Sequence, residues 1–164
     1  MKKLVMFLAL MMLALQSITA KSVKTIINEY RDKSKAEYFY VSPAMMMITK
    51  AAIKKYDDET AKMIAKINSM RILNLGACKS STKKKFYKEI ANLDEEEYQP
   101  VFVNGQKDKG SLAFIKINPD GNSELVSLIT SSQDNCMLFQ VEGTITMEEL
   151  QKLIDGNKIP GMDQ

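Results

Sequence analysis

The 164-residue chain contains no His and no Trp, only two Cys, four Pro and seven Gly. Without His there is no imidazole general base, no Ser-His-Asp or Cys-His nucleophile, no His-ligated zinc and no His-based pH switch. Cys78 and Cys136 are far from a CxxC spacing, which argues against a thioredoxin-like dithiol. Neither GxxxxGK[ST] nor GxGxxG occurs, so the Gly-rich Asn104 to Gly110 stretch reads as a hairpin loop rather than a phosphate cradle. These absences point to no catalytic residues, no cofactor and no metal.

What is present is the composition of a folded globular protein, 45% hydrophobic and 26% charged, with room for one domain. The first twenty residues have the three parts of a secretory signal peptide: basic Lys2 and Lys3, an apolar run from Leu4 to Leu15, and a polar end at Gln16 to Ala20. The apolar run is shorter than the roughly 20 residues a membrane-crossing helix needs. Cleavage after Ala20, export to the periplasm or cell envelope, and no stable membrane anchor after cleavage are the expectations. Removing Lys2 and Lys3 from the 23 basic side chains leaves 21 against 20 acidic ones, a net charge of +1. That balance argues against nucleic acid as a partner, and the cluster Lys83-Lys84-Lys85 reads as a solvated helix face.

Along the mature chain, Val23, Ile26, Ile27 and Tyr30 have helical spacing. Glu37 to Val41 is aromatic and β-branched, as in a strand, and Ser42-Pro43 can cap a helix running from Ala44 to Tyr56. That helix is apolar over most of its circumference, so it is expected to be central and buried. Asp57 or Asp58 can open a further helix carrying Met63, Ile64 and Ile67, ahead of a strand from Met70 to Leu75. Ser81 and Thr82 offer a cap for a helix from Lys83 to Leu93, and Asp94 to Glu97 with Pro100 close it.

From Tyr98 onward, four short apolar segments are separated by turn residues. Gln99–Val103 stops at Asn104-Gly105, Ser111–Ile117 at Pro119-Asp120-Gly121, Glu124–Thr130 at Gln133-Asp134-Asn135, and Met137–Glu142 at Gly143. Thr146 and Glu149 then form a T-x-x-E capping box ahead of a last helix. The fold class that follows is α+β. One domain over 21–156 holds a mostly antiparallel sheet, made of a strand-helix-strand unit and a four-stranded meander. Its helices lie mainly on one face, and 157–164 is a flexible tail.

Val41-Ser42-Pro43 before a Met-rich helix, the segment from Ile67 to Leu75, and the run from Met137 to Ile145 with its glycine together resemble domain of unknown function family 4252. Members are small exported proteins typical of Bacteroides-like bacteria. The resemblance implies an envelope location and a single α+β domain, and it carries no reaction or catalytic residue to transfer. Some relatives accompany extracytoplasmic sigma-factor genes, which implies envelope signalling. This chain has no acylation Cys after its apolar run, unlike the lipoprotein members.

Three features invite chemistry. Cys78 and Cys136 permit one disulfide in an oxidising compartment; it would close a 58-residue loop, worth about 4 kcal/mol in the chain-entropy model. Two separate small core residues are the alternative. Met45-Met46-Met47 could suggest copper(I), but adjacent helical positions point about 100° apart and cannot converge on one ion, so core filling is the better reading. Asp57-Asp58-Glu59 and Asp94 to Glu97 lack EF-hand spacing and suit helix ends.

Tyr38 and Tyr40, on one side of a strand with Phe39 on the other, are the candidate surface for a protein partner, with a wholly buried strand equally compatible. The functional expectation is an exported, noncatalytic module that binds an envelope protein, possessing no enzyme activity. A small-ligand carrier with an apolar pocket between sheet and helices is the alternative, and a His-free enzyme using carboxylates the third.

Overall fold

The computed structural model describes residues 21–55, 59–106, 109–130 and 135–150. The signal segment, Asp57, Asp58, the turn residues Gln133 and Asp134, and the C-terminal tail therefore lie outside the described residues. Val23, Ile26, Ile27 and Tyr30 all fall on the inner side of α1 (Val23–Tyr30), and the Ser22 hydroxyl accepts from the Thr25 amide at its N-terminus. β1 (Glu37–Val41) follows, then α2 (Pro43–Ile53), α3 (Glu59–Lys66), β2 (Ile67–Asn74) and α4 (Ser80–Ala91). The chain closes with β3 (Gln99–Gln106), β4 (Lys109–Ile117), β5 (Ser123–Thr130) and β6 (Cys136–Gly143), and turns helical again at 147–150.

The six strands form one antiparallel sheet in the order β1-β2-β6-β5-β4-β3. The last strand therefore joins the meander to the N-terminal pair. Three cross-strand rows set the character of one face. Tyr38, Leu73, Leu138, Leu128 and Leu112 face one another across five strands, and α1 and α4 cover this apolar part through Ile26, Ile27, Phe86 and Ile90. Tyr30 locks the two helices together: its ring meets Phe86 edge-on with centroids 4.8 Å apart, and its hydroxyl donates to Glu89 Oε1 at 3.0 Å.

On the opposite face a second, smaller cluster joins Ile115, Leu125 and Val141 to Met63 of α3 and to Ile145, Met147 and Leu150. The segment that carries those last residues is fixed by its capping box. The Glu149 amide donates to Thr146 Oγ1 at 3.3 Å, and Glu149 Oε2 accepts from the Thr146 amide at 3.1 Å. Gly143 precedes it, where a Cβ would stand 2.3 Å from the Lys66 carbonyl oxygen. That oxygen accepts from the Thr144 amide, so the close approach is part of the β2–β6 junction.

The α+β class, the single domain and the antiparallel sheet follow the sequence reading, with three local corrections. α2 is not the central buried helix: Met46 is its buried residue, while Met45, Met47, Ile48, Ala51 and Ala52 are exposed. An all-round apolar helix had only its inner edge taken up, because it packs on β2 and α3 at the side of the sheet instead of between layers. α4 starts one turn before Ser81 and Thr82 would place it, with Lys79 at the N-cap and no side-chain cap. β3 runs through Asn104 and Gly105, which pair with Ser111 and Gly110, instead of turning there. The turn at Asp120-Gly121 is as its residues require, with Gly121 at φ +82° and the Asn122 amide donating to Asp120 Oδ1.

Candidate functional site

Strand alternation and register assemble a polar strip at one end of the face that α1 and α4 cover. Beyond the leucine row comes the row Tyr40, Arg71, Gln140, Val126 and Phe114, and beyond that Ser69, Glu142, Glu124 and Lys116. Ser69, Arg71 and Gln140 are buried. Their polar atoms are joined in one chain of hydrogen bonds. The Ser69 hydroxyl donates to Glu142 Oε2 at 2.6 Å, and Arg71 Nη1 donates to Glu142 Oε1 at 2.9 Å and to Gln140 Oε1 at 3.2 Å. Gln140 Nε2 donates to Glu124 Oε1 at 2.5 Å, and the Tyr98 hydroxyl donates to Glu124 Oε2 at 3.0 Å.

Aromatic rings close both ends of this chain. The Arg71 guanidinium lies 4.8 Å from the centre of the Tyr40 ring, and Lys116 Nζ lies 5.4 Å from that of Tyr98. Lys116 also pairs with Glu97, and the backbone of Val23, the first residue of α1, lies against the Tyr98 hydroxyl. Burial pushes the Glu142 carboxyl up, but hydrogen bonds from Ser69 and Arg71 and the charge on Arg71 outweigh it and leave the group below the ordinary carboxylate range. Burial and the neighbouring Glu124 carboxylate push the Tyr98 phenol far above its ordinary value. At neutral pH Glu142 is therefore an ionised acceptor and Tyr98 a neutral donor. The arrangement holds these charged groups in place across three strands.

The sequence did not single out Arg71, Gln140, Glu142 or Glu124. Their partnership depends on β6 lying between β2 and β5, which no local pattern states. Of the two tyrosines picked for a partner surface, Tyr38 is half-buried against the main core, with the Arg31 guanidinium 5.7 Å from its ring centre. Tyr40 is 38% exposed and stacks on Arg71. The outward aromatic of β1 is Phe39, at 56%. It shares the opposite face with its register partners Ile72 and Phe139.

Among the described residues of the N-terminal half, the large exposed apolar side chains include Tyr40, Phe39 and, on α2, Met45, Met47 and Ile48, the last two more than 70% exposed. Ser42 and Pro43 fix the start of that helix, the Ser42 hydroxyl accepting from the Met45 amide at 3.3 Å. Met46 points inward while Met45 and Met47 point out, so the three sulfurs do not converge, as helical geometry requires. No group of three or more metal-ligating His, Cys, Asp or Glu side chains occurs among the described residues. Asp94 sits in the turn after α4, its side chain accepting from the Glu96 amide. Cys78 and Cys136 are both buried free thiols in the main core.

Among the described residues no helix is long and apolar enough to cross a membrane. The family model described as Domain of unknown function (DUF4252) matches residues 30–153, and the chain belongs to that family. Neither a curated protein nor a solved structure gives a significant match.

Proposed function

We propose that this member of the DUF4252 family is an exported, noncatalytic module that acts in the cell envelope by binding another protein, through the apolar surface of α2 and Phe39 of the strand that precedes it in the chain. The observation that carries this reading is the exposure of Met45, Met47 and Ile48 on a helix whose N-terminus is firmly capped. Clustered exposed apolar side chains on a well-ordered element mark contact surfaces more often than isolated ones do. Methionine suits such a surface, because its unbranched, polarizable side chain adapts to a partner's shape. The basic start and apolar run of residues 1–20 support export. Envelope stress or surface signalling is the setting in which such a module would act.

A photo-crosslinking residue placed in living cells at Met47 or Ile48 tests the surface, with the exposed Lys84 of α4 as the control position. One discrete protein adduct from 47 and 48, absent from 84 and lost with Phe39→Asp, supports the reading. Identical adducts from all three positions, or none, refute it. Fractionation with N-terminal sequencing tests export, for which the first residue of the mature chain should be Lys21.

A further inference from the structure

At the end of β2 the backbone places both cysteines next to one residue, Leu75. The β2–β6 ladder pairs Asn74 with Met137, and the next residue continues it: the Leu75 amide donates to the Cys136 carbonyl at 2.8 Å. Leu75 thus stands opposite Cys136, where facing Cα atoms of an antiparallel pair are about 4.5–5.5 Å apart. The chain then turns back, and the Cys78 amide donates to the Leu75 carbonyl at 2.9 Å. Such a four-residue turn holds its first and last Cα within about 7 Å. Both cysteine side chains enter the same core cluster, with Leu75 beside them.

The two thiols are not equivalent. Cys136 is 1% exposed and Cys78 7%, and the Cys78 thiol faces the Ser34 carbonyl at 3.3 Å, on the outer side of the cluster. Burial pushes the Cys136 thiol up to about 11, the Lys83 ammonium opposes that, and charge on Cys78 adds to it. Burial raises the Cys78 thiol as well, again opposed by Lys83 and also by Lys35. The same lysine acts on both sulfurs, and charge on Cys78 disfavours the Cys136 thiolate.

We propose that Cys78 and Cys136 are a disulfide-forming pair, in which Cys78 meets the oxidant, Cys136 resolves the mixed disulfide, and the bond ties the start of β6 to the turn leading into α4. The oxidant is a disulfide donor, either a small-molecule disulfide or an exposed protein disulfide. The Cys78 thiolate attacks one donor sulfur; the donor S–S bond breaks, and the leaving thiolate takes up the proton that Cys78 released. The Cys136 thiolate then attacks the Cys78 sulfur and expels the second donor thiol. One donor disulfide is reduced to two thiols, and two cysteines are oxidised to one cystine.

Because both thiolates are disfavoured in the folded core, the bond forms readily during folding and only slowly in the native chain. This inference is independent of the partner surface on α2. It needs a compartment that supplies disulfides, as the exported location would.

The test uses the mature chain, refolded from urea or kept native, in oxidised and reduced glutathione, then alkylated and weighed intact. The refolded chain should be lighter by two hydrogens and carry no alkyl group, with a higher urea midpoint than the reduced chain. The native chain should reach the same species more slowly. Cys136→Ala should stop with one glutathione on Cys78, whereas Cys78→Ala should take up far less glutathione on Cys136. Since either variant leaves a small core void, the wild-type arms carry the disulfide by themselves. Recovery of two alkylated thiols after oxidative refolding, glutathione on both cysteines without ring closure, or a lower urea midpoint for the oxidised chain would each overturn the proposal.

Discussion

Arg71 and Glu142 meet diagonally across the ladder. In register Arg71 faces Gln140, yet its Nη1 reaches on to Glu142 Oε1 at 2.9 Å, one row further along β6. The Arg71 side chain is buried, while that of Glu142 is 40% exposed. Removing the acid therefore leaves a buried cation without its ionic partner. Glu142→Ala should destabilise the fold by about 2 kcal/mol, a value kept below that of a fully buried pair because water reaches Glu142. Arg71→Met, which fills the space with an apolar chain, should cost about half as much. Urea unfolding of the two single variants and the double variant checks the order and gives the coupling.

The same carboxylate sets a pH dependence. Its folded pKa lies below the ordinary 4.5, so the stabilisation it provides is fully present above that value. As the pH falls through the depressed folded value, protonation of Glu142 removes that contribution. Glu142→Gln should therefore flatten the acid limb of a stability–pH curve below about pH 4.5 relative to wild type. Parallel curves for the two proteins through that range would contradict the assignment.

Two glycines should respond differently to alanine. At Gly143 a Cβ would meet backbone that cannot swing away, so Gly143→Ala should cost roughly 2–3 kcal/mol or prevent folding. At Gly121 nothing lies within 4 Å, and the penalty is that of a positive φ alone, about 1 kcal/mol. Thermal or urea denaturation of both variants tests the ranking.

Along α2, stability and surface should separate. Met46→Ala empties a buried site and should cost about 2 kcal/mol. Met47→Asp and Ile48→Ser, on the exposed side, should stay within about 0.5 kcal/mol of wild type. If the exposed substitutions prove as damaging as the buried one, α2 is covered in the folded chain and the proposed contact surface is lost.

The elements most legible in the sequence are those whose cause is local. β1 has the boundaries its aromatic and β-branched run implies, the inner side of α1 is the i, i+3, i+4 set, and the Thr146–Glu149 box is made by its own two residues. Burial on α2 was misjudged because apolar content fixes what a helix can bury, whereas the neighbours available to cover it are a property of the whole chain. Tyr38 and Tyr40 were separated correctly from Phe39 by alternation, but which side faced the helices was not written in the strand. A Tyr38→Ala, Tyr40→Ala variant consequently disturbs the core edge and the Arg71 stack more than any outer surface. The polar strip was invisible for a related reason: Arg71 and Glu142 are 71 residues apart, and only the insertion of β6 beside β2 brings them together.

The placement of β6 also orders events during synthesis. β1 and β2 are made first, but their next neighbour is the last described strand, so one edge of β2 has no strand beside it until residue 143 has left the ribosome. The three hairpins of the meander can close one after another as they emerge, whereas joining them to the first pair requires nearly the full length of the chain. Completion of the sheet is thus a late step. A chain built this way stays incompletely folded for most of its synthesis, which is the condition in which a polypeptide can still be threaded through a narrow pore.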